Sequence, residues 1–319
     1  ARLTPARAVA RYAAAVRRQG ALNFGRGFLM GMADAVPGVS GGTIALLVGI
    51  YERLVHAVAT AARAGGELVR GRPRQAWGRF VSIDWLLIAP LLVGILTAIV
   101  LLARAIEYLL EERPVEMAAV FFGLVAASAW VAWGLIRHRT AAHIPIALVV
   151  AAITFGLLGF KGGEVTDPST LVILGSGAIA ICAMILPGVS GSFLLLMLGM
   201  YEFVIGAVND RDIASLAVFA LGCVIGLALF SSALDWSLRH HHDVIMAALV
   251  GLMIGSLRVL WPWPEGVDSS ALEAPPPTGW LVPLLLAVVA AATVVGLTLA
   301  ARRSAGRATG LDATPPVRS

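Results

Sequence analysis

Two serines sit in nearly the same hexapeptide, PGVSGG at 37–42 and PGVSGS at 187–192, 150 positions apart. Pro37 and Pro187 end whatever helix precedes them, and the glycines, Gly38 and Gly188 among them, let backbone turn and approach a ligand closely. A new helix then begins at Ser40, Gly41, Gly42 and Thr43 in one copy and at Ser190, Gly191 and Ser192 in the other. Its first N–H groups lack intrahelical acceptors and its dipole presents partial positive charge, so two such ends suit an anion. The plainer reading of the same residues is a serine cap on a tightly packed hairpin. GVSGG also fits G-x-S-x-G, the setting of a serine nucleophile. A nucleophile needs a base within hydrogen-bond reach, yet His56, His138, His143, His240, His241 and His242 all fall at the ends of apolar runs or between them. Hydrolysis is the weaker alternative, and no catalytic residue is expected.

The charges inside apolar runs come next, because each is a functional hypothesis in a membrane. Asp34 lies three residues before Pro37, and its counterpart in the second copy is Met184. A deep carboxylate needs a partner, a cation or a proton. Glu52 and Glu202 are counterparts, each eleven residues past Gly41 or Gly191 and beside Tyr51 or Tyr201. On a straight helix they stand about 16 Å up the arm, at the interface, where gating, proton or sodium coupling and simple pairing all remain open. Arg104 has Glu107 three residues on, which suggests a local pair. Arg258, in GSLRVLWPW, has no acidic residue within four positions. It is the best candidate for a fixed cation that captures an anionic head group, against simple snorkelling.

The elements that must position these residues follow from composition. The chain has 319 residues, 59% hydrophobic and 13% charged, with a mean hydropathy of +0.86. Soluble domains carry roughly 25% charged residues, so this is an integral membrane protein and a soluble enzyme is excluded. Cys182 and Cys223 lie in apolar runs and read as small buried hydrophobes, not a disulfide or a metal site. The first twenty residues alternate arginine with alanine, without the apolar core of a cleaved leader, and predict an amphipathic helix on anionic lipid. The net charge of +5 therefore points to a lipid surface. No nucleic-acid motif accompanies it.

Apolar runs at 82–105, 114–136, 143–160, 213–238, 244–261 and 280–301 predict six spans. Two further stretches, 25–58 and 171–208, contain the hexapeptides. Arginines flank the first stretch on both sides, so both its ends belong on the cytoplasmic face. Its first arm, 25–36, measures about 18 Å as helix, too short to cross, and predicts a re-entrant hairpin. Following the charges along the chain puts eighteen arginines inside and only Arg113, Lys161 and Arg211 outside. Both termini are then cytoplasmic, Arg104 and Arg258 lie near the outer face, and the second hairpin enters from outside.

The expected fold is therefore an all-α integral membrane protein with an inverted-topology repeat, each half a re-entrant hairpin plus three transmembrane helices. Its divisions are an amphipathic segment at 1–22, repeat 1 at 23–160, repeat 2 at 161–301 and a disordered tail at 302–319. Aligning PGVSGGTIALLVGIYE with PGVSGSFLLLMLGMYE gives nine identities in sixteen, polar positions included. Thr43 against Phe193 suggests that the first hairpin presents more polar surface.

NFGRGFLMGMADAVPGVSGGTIALLVGIYERL from Asn23, PGVSGSFLLLMLGMYE from Pro187 and GLMIGSLRVLWPW from Gly251 together resemble the bacterial polyprenyl-phosphate transporter family, PopT, over about Asn23 to Ala301. The resemblance implies movement of undecaprenyl phosphate, an anionic isoprenoid lipid, from the outer to the inner leaflet of the cytoplasmic membrane for reuse in envelope synthesis. It implies no enzymatic step and no cofactor. On that reading Arg258 with Arg104 draws the phosphate in, the helix ends at Ser40 and Ser190 hold it at mid-depth, and rocking of the halves releases it. A soluble-anion transporter would share this architecture. Oligomeric state is not legible.

Overall fold

A computed structural model describes residues 5–35, 39–160, 162–163, 165–264, 266 and 271–311. Pro37, Gly38, Lys161 and the tail at 312–319 lie outside the described residues. Among those described, the chain is all helix with no strand. The first half runs α1 (Pro5–Asp34), α2 (Gly41–Leu47), α3 (Tyr51–Val69), α4 (Pro73–Val81), α5 (Trp85–Glu112), α6 (Pro114–Trp133) and α7 (His143–Leu157). The second runs α8 (Thr170–Ile185), α9 (Gly191–Met197), α10 (Tyr201–Asn209), α11 (Ile213–His240), α12 (His242–Ser256) and α13 (Leu281–Leu311).

The amphipathic segment and the first hairpin arm are one helix. α1 is 30 residues long, about 45 Å, and the boundary expected at residue 22 falls inside it. Nothing between Pro5 and Asp34 breaks a helix, because Gly20, Gly25, Gly27 and Gly31 each lower propensity without removing a backbone donor. α1 lies along α5, and glycine makes the approach close: a Cβ on Gly27 would strike the backbone of Leu91, and one on Gly94 the backbone of Phe24. Small residues at such seams let helices associate in lipid, where there is no hydrophobic drive between them. The fully buried Asn23 fastens the same seam by donating to the Leu86 carbonyl at 2.8 Å. α8 and α11 repeat the arrangement, with Gly177 against Phe219 and Gly222 against Leu174.

The main pairings are α1 with α5, α8 with α11, α6 with α13 and α7 with α12. Exchanging the two halves of the sequence maps this set onto itself, which is the packing that duplicated halves produce. The largest of three apolar clusters among the described residues joins them, with Leu46, Ile50, Leu87, Leu91, Met246, Met253 and Leu260 almost wholly buried.

The helices differ in length from the apolar runs that suggested them. Among the described residues four helices, α5, α6, α11 and α13, are long and apolar enough to cross a bilayer, or five spans if the bent pair α9 and α10 counts as one. α7 and α12 have only 15 residues each, about 22 Å. The apolar run at 244–261 is helical only as far as Ser256; turns at 257–260 follow, ahead of Pro262 and Pro264, and these carry Arg258. The return arms of the hairpins are not straight either. Gly49 and Gly199 adopt left-handed backbone, φ 70° and 68°, and Ile50 and Met200 donate back to Ala45 and Leu195 at 2.9 Å. That helix-ending motif stops α2 and α9 after seven residues and turns α10 by 110° from α9. Glu52 and Glu202 therefore lie beyond a corner, not up a continuous arm.

Candidate functional site

The two hexapeptides meet. The Thr43 hydroxyl accepts the Gly188 N–H at 2.9 Å, the Ser40 hydroxyl donates to the Met184 carbonyl at 3.3 Å, and a Cβ on Gly42 would approach the Ile185 carbonyl to 2.8 Å. Ser40, Thr43 and Ser190 are buried there. A cavity of about 250 Å³ opens beside them, with Asp34, Ser40, Ser190 and Ser192 as its polar lining and Met184, Phe219 and Cys223 among its walls. No histidine is among the described residues that line it, and Asp34 is its one carboxylate.

The two helix starts are not equivalent. Asp34 accepts the Gly41 N–H at 2.5 Å, and Ser40, in extended backbone, accepts the Gly42 N–H at 3.1 Å. The first donors of α2 are thus satisfied by the chain itself, and a carboxylate stands where a bound anion was expected. At α9 the Ser190 hydroxyl faces the Ser192 hydroxyl at 2.7 Å and makes no cap to the backbone. Nor does Thr43 add polar surface to the first hairpin, since it is fully buried and engaged with Gly188.

Arg258 sits on the turns after α12 with its guanidinium 4.7 Å from the centre of the Phe155 ring, a cation–π contact. A Cβ on Gly159 would come within 2.8 Å of that guanidinium, so the glycine makes room for it. Arg258 lines a cavity of about 380 Å³ whose wall is mostly apolar, Phe122, Phe155, Ile254, Leu257, Trp261 and Leu272, with Glu273. A second apolar cavity of about 480 Å³ shares Ile254 and Leu257 and continues between α6, α7 and α12 past Trp130, Trp133 and Leu148. Trp130 and Leu148 are more than half exposed. The two cavities share a wall at Ile254 and Leu257, and Arg258 lines the first of them. Arg104 is not part of them: it is exposed on α5, lines neither cavity, and makes no ion pair with Glu107 among the described residues.

Glu52 belongs to a network that local sequence did not reveal. His242 Nε2 lies 3.0 Å from Glu52 Oε1, and its Nδ1 lies 2.9 Å from Asp243 Oδ1. Asp243 also accepts the N–H groups of Arg137 and His138 at 2.9 and 2.8 Å. The hydrogen bond from His242, followed by that from Arg137, holds its carboxyl well below the usual carboxylate range. A second cluster gathers His56, Arg63 and Arg239 on the buried Asp235 and fastens α3 to α11. The signals were the strings RHR and RHHHD, which looked like loop charge. Glu202, the counterpart of Glu52, is exposed and has no ion pair among the described residues.

Residues 30–274 match a family model described as undecaprenyl phosphate translocase-like. The chain belongs to that family. A relative from Vibrio cholerae serotype O1 named polyprenyl-phosphate transporter is 39% identical over 293 residues, which is 85% of this chain and 94% of that protein. One of the same name from Staphylococcus aureus is 28% identical over 297 residues, 87% and 95% of the two chains. No solved structure matches. For this family member the matched region takes in both hexapeptides, Asp34, the Glu52 network and Arg258.

Proposed function

We propose that this membrane protein carries a polyprenyl phosphate, specifically undecaprenyl phosphate, from the outer to the inner leaflet of the bacterial cytoplasmic membrane, returning the lipid carrier for envelope synthesis. The observation that carries the reading is Arg258 in a mostly apolar groove whose wall residues Ile254 and Leu257 also line a second apolar groove. A soluble anion has no use for such a groove, whereas a phosphate on an isoprenoid chain needs both parts. The names of the relatives support the same cargo.

Moving a charged head group through bare hydrocarbon is prohibitive, and the protein need shelter only that group while the tail stays in lipid. Arg258 takes the phosphate from the outer leaflet, and the cavity between the hexapeptides shelters it at mid-depth. A phosphate and the Asp34 carboxylate repel in about 250 Å³, so occupancy requires Asp34 to take a proton, to meet a cation such as sodium, or to leave Gly41. The halves are read as inverted, with both termini cytoplasmic, and their relative rocking exposes the site to each leaflet in turn. The self-mapping set of helix pairings supports this.

The test is leaflet exchange of undecaprenyl phosphate in proteoliposomes. Wild type accelerates exchange, and Arg258→Ala and Ser40→Ala plus Ser190→Ala, each checked for folding, do not. Absence of exchange by wild type, with or without a pH or sodium gradient, would overturn the assignment.

A further inference from the structure

At the far end of α2 from Ser40, Leu46 and Gly49 line another cavity, of about 400 Å³, with Tyr51, Glu52, Arg53, Arg137 and His242. It lies on the arginine-rich face, separated from the cavity at the hexapeptides by one seven-residue helix, about 10 Å long. Its lining carries two guanidiniums against one carboxylate, and the charges come from three elements: Glu52 and Arg53 on α3, Arg137 after α6, and His242 on α12. Tyr51 is 4% exposed, and its hydroxyl has no hydrogen-bond partner among the described residues. Buried polar groups are nearly always satisfied, and one that is not calls for an explanation. Arg137 stands 3.9 Å from Glu52, a distance that leaves its N–H groups available. Arg53 is tied to Asp84 through one nitrogen and keeps further donors.

The corresponding corner of the second half is closed. There the chain around Gly162 and Val165 lies across the turn, donating to Met197 and Gly199 at 2.8 and 3.0 Å. Phe203 stands where the first half has Arg53. A general preference for arginine on the cytoplasmic face accounts for loop charges but not for a buried tyrosine hydroxyl beside them. We propose that this cavity binds a phosphate monoester group and receives the lipid head group after it passes the hexapeptides. That the monoester is a lipid rests on the transport reading above.

The experiment uses the full chain in lipid nanodiscs with farnesyl phosphate and inorganic phosphate as probes, titrated against wild type, Tyr51→Phe and Arg137→Ala. Affinity and the side-chain nitrogen resonances of His242 are both recorded, with undecaprenyl phosphate exchange measured on the same proteins. Expected are a His242 shift with farnesyl phosphate, about tenfold weaker binding for Arg137→Ala, and a smaller loss for Tyr51→Phe, as hydrogen bonds to charged groups require. If Arg137→Ala does not fold, Arg137→Lys and Tyr51→Phe carry the same test. Wild-type exchange with variants that bind and exchange like it, and an unmoved His242, overturns the site and leaves transport standing. Inorganic phosphate binding as tightly as farnesyl phosphate, with the same dependence on Arg137, overturns the lipid part. Failure of wild-type exchange falls on the transport reading instead.

Discussion

The Thr43 hydroxyl accepts the backbone N–H of Gly188 at 2.9 Å, across 145 residues of chain. This bond ties the first turn of α2 to the second hexapeptide. Gly188 has left-handed backbone, φ 86°, which suits glycine and aims its N–H at the hydroxyl. Any relative movement of the halves has to break or carry this link.

Thr43→Val keeps the shape and removes the acceptor, leaving a buried N–H unpaired. The expected cost is about 1–3 kcal/mol of stability, read by thermal unfolding in a fixed detergent, with Thr43→Ser restoring most of it. A valine variant as stable as wild type would mean that the link contributes nothing.

Gly41→Ala puts a methyl group onto the Asp34 carboxylate and should dislodge it from the α2 start. Asp34→Asn removes the charge but keeps an acceptor for the Gly41 N–H. If Asp34 must lose its charge to admit a phosphate, Asp34→Asn lowers the dependence of exchange on a pH or sodium gradient while Gly41→Ala lowers exchange itself. Equal loss in both variants under every gradient would point to a purely structural carboxylate.

Arg258→Ala should slow exchange at least about tenfold, as expected for losing a charge-assisted contact. Arg258→Lys should recover only part, since lysine lacks the planar fork and stacks less well on Phe155. Arg104→Ala, remote from the groove, should stay within about twofold, a difference worth under about 0.5 kcal/mol. The measurement is the initial exchange rate at matched protein density, and a dominant effect of Arg104 would contradict the groove.

Asp235→Asn leaves Arg63 and Arg239 facing a neutral amide. Both arginines are partly exposed, 34% and 53%, so water compensates and the expected loss is about 1–2 kcal/mol. Unfolding midpoints against denaturant give the number, and loosening should appear first as faster proteolysis in α3.

The membrane class, the broken hairpins and the duplicated hexapeptides were readable because each depends on local chemistry. Apolar runs partition into lipid wherever they occur, proline ends a helix in place, and copied residues stay visible in order. The corners at Gly49 and Gly199 were also present, in the shared LxxGxYE pattern, but as identities rather than as helix ends. What the local pattern could not supply was which groups touch. Straight-helix geometry put Glu52 up an arm, whereas the corner and the return of α12 deliver it to His242, which is 190 residues away. Two helix starts were expected to hold an anion together, yet Asp34, whose counterpart is Met184, takes the first donor of one of them. Arg104 and Arg258 looked alike as cations near one face, and helix packing separates them. The sequence by itself determined the membrane class and the helix breaks at the two hexapeptides, because solvation and backbone freedom act residue by residue. Only the tertiary structure decided how the tips interlock and which charges share a cavity, because those contacts depend on the crossing of helices that are distant in the chain.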